Sequence, residues 1–114
     1  MAYQNAVLDD EELQHGLRSI NPKYGDLISR VGGEVWGLPL IDQKTKALIA
    51  LAVDVVNQAR VGAGSPFVAH VQMAIKQGAT RAELEELLLF MCVYAGFNKA
   101  VVCFPMLNEV LGPA

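Results

Sequence analysis

The stretch from Ala47 to Val56 constrains the fold most strongly, because Asp54 is its only polar residue. Asp42 can cap a helix that begins just before this stretch and runs to about Arg60. A helix that is apolar on every side is normally packed by neighbours all round. The sequence therefore predicts a central helix with other elements arranged about it.

Capping and turn patterns divide the rest of the chain into further helical segments. Thr80 and Glu83 form a capping-box pattern, and Ser65-Pro66 places a cap directly before a proline at the first helical position. The Val and Ile runs all fall inside segments of helical length. We therefore predict a single all-α domain over residues 1–114, with about six helices and no strand. The first of these helices is capped by Asp9 or Asp10 and ends at Asn21-Pro22, and the second follows with Tyr24. The others start near Asp42, Ser65, Thr80 and Asn98.

Two of the segments carry residues that should disturb a helix. In the second segment, Gly32-Gly33 is expected to fray the helix end, which Gly37-Leu38-Pro39 then terminates. In the last segment, Pro105 must kink or split the helix because proline has no backbone donor. The second segment is nevertheless amphipathic, with helically spaced apolar residues at Tyr24, Leu27, Ile28, Val31 and Val35.

The apolar content exceeds what one small domain can bury. Hydrophobic residues make up 53% of the 114, before the ten glycines are added. The longest apolar run, Leu87 to Phe97, falls short of the roughly 20 residues that a membrane-spanning helix needs. Residues 1–12 are polar and acidic, unlike a secretory signal. We therefore expect a cytoplasmic homo-oligomer of at least three chains, with no membrane association.

Charge and cysteine usage exclude several functions. The net charge is −3 and the basic residues are not clustered, so no nucleic-acid partner is expected. Cys92 and Cys103 have neither metal-ligand nor CxxC spacing and are predicted to be buried thiols. The two histidines lie far apart, and no phosphate-loop pattern occurs, so we expect neither a metal nor a cofactor.

Several stretches resemble one known family over most of the chain, from about residue 21 to 111. The strongest match extends without a gap from His70-Val71, through the 78–88 segment GATRAELEELL, to Tyr94-Ala95-Gly96-Phe97. The 46–52 segment KALIALA and Trp36 also match. In these features the chain resembles the carboxymuconolactone decarboxylase family, which shares its helical fold with the AhpD-type alkylhydroperoxidases. The resemblance implies an all-α domain that assembles as trimers or hexamers.

The same resemblance separates two chemical branches. The peroxidase branch has a CxxC pair four and seven residues before the histidine, where this chain has Pro66 and Ala63, and a glutamate where it has Ala47. Thiol peroxidase chemistry is therefore not expected. The decarboxylase branch remains, although its frequent glutamate and arginine around the histidine are replaced here by Pro66 and Gln72. The identity of the lactone substrate stays open.

Two residues are predicted to be catalytic. His70 lies on the apolar face of its helix, and an imidazole can give or take a proton near neutral pH. Glu86 stands one turn after Glu83 on a face that becomes apolar, so it can orient the histidine or bind its proton. The alternatives are a structural histidine in the core and a solvated acid in the first turns of a helix.

Three further residues are candidates for binding the substrate: Tyr94, Arg60 and Trp36. The alternatives are a buried tyrosine bonded to a backbone carbonyl, an arginine that stabilises a helix C-terminus, and a tryptophan that fills the core or an interface. Together with the resemblance, these residues predict a cofactor-free carbon–carbon lyase or isomerase acting on a small carboxylated lactone or keto acid. A non-catalytic, ligand-binding relative is the alternative.

Overall fold

The computed structural model describes residues 2–58 and 65–113, and within these ranges it is helical and contains no strand. The helices are α1 (Glu11–Ile20), α2 (Pro22–Trp36), α3 (Gln43–Asn57), α4 (Pro66–Lys76), α5 (Arg81–Tyr94), α6 (Phe97–Val101) and α7 (Cys103–Leu111). The last two occupy the place of the sixth predicted segment. The predicted all-α fold is thus confirmed.

Side-chain caps fix most helix starts where the sequence predicted them. The Asp42 carboxylate accepts the backbone N–H of Thr45 at 2.7 Å. The Ser65 hydroxyl accepts the N–H of Val68, directly before Pro66. Asp10 caps α1, and the reciprocal capping box of Thr80 and Glu83 opens α5. Each cap satisfies backbone donors that a helix start leaves without a partner.

The last segment differs from the prediction in detail. Gly96, with φ of 118°, is the N-cap of α6, so the expected Asn98 cap is wrong. The helix is interrupted at Val102, and Pro105 lies in the first turn of α7. A proline is tolerated there because the first turn of a helix leaves its N–H groups unbonded anyway. The predicted splitting of the helix is therefore confirmed.

Helices α1 and α2 form a hairpin joined at Asn21, with glycine at their closest approach. Gly25 faces the backbone of Arg18, and Gly33 lies against Leu8. The predicted fraying at Gly32-Gly33 is wrong, because α2 continues to Trp36. The absence of a side chain at Gly33 instead lets Leu8, which precedes α1, pack against the helix. The apolar residues of α2, in contrast, are exposed: Tyr24, Leu27, Ile28, Val31 and Val35.

The main core lies between α3, α4, α5 and the α6–α7 pair. Its largest fully buried side chains include Leu51, Phe67, Val71, Leu84 and Leu88. Helix α3 is central to this core but is not covered on every side, since Ile49, Val53 and Val56 remain exposed. The expectation of burial all round is thus wrong among the described residues, because the packing of α3 against α4, α5 and α6 leaves these three side chains exposed.

Candidate active site

A buried carboxylate and a half-buried imidazole meet between α3 and α4. The Nδ1 atom of His70 lies 2.5 Å from Oδ2 of Asp54. The side chain of Asp54 is 8% exposed and that of His70 27% exposed. Asp54 lies in the last turn of α3 and His70 in the second turn of α4. The buried side chains of Val55 and Val71 help to hold these two helices together.

The chemistry of this contact follows from the carboxylate. An ionised carboxylate can only accept hydrogen bonds, so the contact requires a hydrogen on Nδ1 of His70. A carboxylate removed from water is costly unless it is paired and hydrogen-bonded, and the imidazole provides that partner. The Asp54–His70 pair therefore satisfies the one polar side chain that α3 carries into the core.

The carboxylate also acts on a neighbouring thiol. Burial and the negative charge of Asp54 raise the pKa of Cys103 above its usual value. The thiol of Cys103 is buried and donates to the carbonyl of Lys99 at 3.6 Å. A thiolate is the nucleophilic form of cysteine, so this cysteine is unsuited to nucleophilic chemistry at neutral pH. The predicted burial of this cysteine is confirmed, whereas Cys92 is only partly buried.

Glu86 lies elsewhere on the surface. It is exposed on α5 and lines an open groove of about 400 Å³ with Leu48, Ala82 and Phe90 among others. Within the described residues no hydrogen bond joins it to His70, whose carboxylate partner is Asp54. The structure thus does not bring the two predicted catalytic residues together, and a catalytic role for Glu86 stays a prediction.

The predicted substrate-binding residues are dispersed as well. Tyr94 is 73% exposed, and its ring centroid lies 4.8 Å from that of Phe90, so the alternative of a buried tyrosine is wrong. Trp36 packs against the main core and against a smaller apolar cluster of Ala6, Val7 and Met73. Arg60 lies outside the described residues. None of these placements assigns a binding role.

A separate cleft of about 510 Å³ runs between α1 and α4. Apolar side chains of both helices line it, including Leu17 and Met73, and Gln72 lies on its wall. Its polar end is closed by Lys76, whose ammonium contacts Asp10 at 2.8 Å and Glu12 at 3.2 Å. These two ion pairs link the N-terminal end of α1 to α4.

Opposing effects act on the pKa of Lys76 at this end of the cleft. Burial lowers the pKa of Lys76, but hydrogen bonds to Asp10 and Glu12 outweigh it and leave this pKa above its usual value. The ammonium is therefore already paired, and it does not offer a free cationic site for a substrate carboxylate. His70 does not line this cleft.

Sequence reasoning missed Asp54 as a site residue although it was visible. It is the single polar residue in the 47–56 stretch, and a lone acid in an otherwise apolar helix needs a partner. That the partner is His70, sixteen positions later, depends on how α3 and α4 pack.

The chain is similar to one protein family and to two decarboxylases. The model of the carboxymuconolactone decarboxylase family matches residues 22–109. The chain is 29% identical over 108 residues to a 4-carboxymuconolactone decarboxylase of Acinetobacter baylyi, covering 91% of this chain and 78% of that protein. It is 32% identical over 94 residues to a nitrosuccinic acid decarboxylase of Metarhizium robertsii, covering 79% of this chain and 63% of that protein. No solved structure matches it significantly.

The matched region extends from the start of α2 into α7, and it contains both Asp54 and His70. Both relatives are named as decarboxylases. No helix among the described residues is long and apolar enough to cross a membrane. With a family model spanning most of its length, the chain belongs to the carboxymuconolactone decarboxylase family, as the sequence resemblance implied.

Proposed function

We propose that this protein is a carbon–carbon lyase that decarboxylates a small carboxylated lactone or keto acid, with His70 transferring the proton. One observation carries the proposal: the imidazole is half-buried, is held at Nδ1 by a buried carboxylate, and keeps part of its surface open. A catalytic acid or base needs both a fixed orientation and access to the substrate. The relatives named as decarboxylases support the same reaction class.

The proposed step balances without any oxidant or reductant. When the carboxylate leaves as carbon dioxide, the bonding electron pair stays on the neighbouring carbon. Protonated His70 donates its Nε2 hydrogen to that carbon, and the neutral ring then takes up one proton from the solvent, which is the one proton that the overall reaction consumes. An imidazole suits this exchange because it can give or take a proton near neutral pH.

The test is a pair of matched histidine variants. His70→Gln keeps the approximate size and one donor, whereas His15→Gln makes the same change at an exposed position of α1. Carbon dioxide release from a panel of carboxylated lactones and β-keto acids should fall about 10²–10⁴-fold in the first variant. The second should match the wild type. Melting temperatures of both variants separate lost chemistry from lost folding.

Two outcomes would contradict the proposal. If His70→Gln turns over the substrate at the wild-type rate but unfolds at a lower temperature, the histidine is structural. If no member of the panel is decarboxylated and ligands only bind, the non-catalytic alternative is favoured. Glu86→Gln should reduce turnover only mildly if Glu86 contributes from its separate groove.

We also propose that the protein assembles with copies of itself, as a trimer or hexamer. The apolar residues of α2 are exposed, and so is an α5–α6 patch formed by Leu89, Phe90, Val93, Tyr94 and Phe97. Contiguous apolar surface of this kind is uncommon on monomers and is typical of interfaces. A second copy is the occupant that the composition favours, since 53% hydrophobic residues are more than this small chain buries alone.

A further inference from the structure

Asp54 occupies a position where an ionised carboxylate is unfavourable, because the group is largely removed from water. It belongs to α3, its side chain is 8% exposed, and its helical neighbours Leu51 and Val55 are in the core. An ionised carboxylate in such a place must be paired or hydrogen-bonded to stay charged. The contact with Nδ1 of His70, at 2.5 Å, is short for a hydrogen bond between nitrogen and oxygen.

We propose that Asp54 is a positioning residue that keeps the hydrogen of the neutral His70 ring on Nδ1, so that Nε2 is the ring nitrogen that takes up a proton and delivers it to the substrate. The role of Nε2 in turnover rests on the proposed function above. A neutral imidazole has one N–H, so a hydrogen held on Nδ1 leaves the lone pair on Nε2. This nitrogen can then take up a proton from the solvent and donate it to the carbon that has lost carbon dioxide.

The contact with Asp54 distinguishes the two ring nitrogens of His70. The carboxylate fixes one ring nitrogen from the buried side, and the imidazole retains 27% of its side-chain surface. Cys103, whose pKa is raised by burial and by the negative charge of Asp54, remains a neutral thiol and adds no second negative charge near the carboxylate.

The tautomer can be measured without any substrate. The chain has two histidines, so nitrogen-15 NMR of the labelled protein shows two imidazoles, and His15 on the exposed face of α1 is the internal reference. Under conditions in which the spectra themselves show both rings to be neutral, we expect His70 to carry its hydrogen on Nδ1. His15 should show the Nε2–H form that free imidazole side chains prefer.

Two matched substitutions test the cause. Asp54→Leu removes every acceptor while keeping the branched shape of the side chain, whereas Asp26→Leu makes the same change at an exposed position of α2. His70 should change to the Nε2–H form in the first variant and keep the Nδ1–H form in the second. A wild-type His70 with its hydrogen on Nε2 would overturn the proposal even if Asp54→Leu failed to fold. An unchanged tautomer in a folded Asp54→Leu protein would overturn it as well.

Turnover gives an independent second readout. In the decarboxylation assay, Asp54→Leu should lower kcat by about 10²–10⁴-fold and change KM much less, since the lost orientation affects the proton-transfer step. The NMR result is separate from the His70→Gln assay. If His70→Gln is inactive and the tautomer is Nε2–H, the proposed function stands and the role of Asp54 is overturned. If the tautomer depends on Asp54 but His70→Gln is fully active, the proposed function fails and the role of Nε2 in turnover fails with it.

Discussion

Gly25 lies where α2 passes closest to α1, and replacing it with alanine tests the packing of this hairpin. A Cβ atom built on Gly25 would lie 2.5 Å from both the Cα and the backbone nitrogen of Arg18. Carbon atoms pack best at about 3.5–4.0 Å, so the two helices would have to separate by roughly 1 Å or more. Because backbone atoms of α1 must move, no side-chain rotation can relieve the contact.

The size of the effect follows from two opposing contributions. Overpacking of this kind costs about 1–3 kcal/mol, and the upper end applies because the backbone is involved. Alanine regains about 1 kcal/mol over glycine within a helix. We therefore expect Gly25→Ala to lower the free energy of unfolding by about 2 kcal/mol.

A matched control separates packing from helix propensity. Gly16 lies within α1, and a Cβ atom added there would meet nothing within 4 Å beyond its own helix backbone. Gly16→Ala should therefore stabilise the protein by about 0.5–1 kcal/mol. Urea unfolding of both variants, at one protein concentration, gives the two free energies. Gly25→Ala with wild-type stability, or two variants that shift in the same direction, would refute the close approach of α1 and α2.

Two further predictions concern charge and assembly. The Lys44 ammonium and the Thr80 N–H hold the pKa of Glu83 below its usual 4.5, so its contribution to stability is present above pH 4.5 and is lost as the pH falls further. Glu83→Gln should therefore lower the melting temperature at pH 7 but not in strong acid, whereas Glu86→Gln should leave it unchanged at both. The double substitution Val93→Lys with Phe97→Lys should reduce the assembled mass in sedimentation equilibrium. A wild-type chain that is a stable, folded monomer at micromolar concentration would end the oligomer proposal.

The helix starts could be predicted from the sequence because they depend on neighbours along the chain. Asp42 reaches the N–H of Thr45, and Thr80 exchanges hydrogen bonds with Glu83, each over three residues. Such contacts form as soon as the local backbone turns, so residue type and spacing suffice to predict them. His70 could also be singled out from the sequence, because its position on the apolar face of its helix and the family resemblance both point to it.

The tertiary structure alone decided which groups meet. The sequence offered Glu86 as the carboxylate for His70, but the packing of α3 on α4 brings Asp54 there instead. The regular apolar spacing on α2 was visible, yet the buried face of that helix is the small one, at Gly25, Ser29 and Gly33. Periodicity gives the direction of a side chain around its own helix, whereas the partner it reaches depends on how separate helices pack.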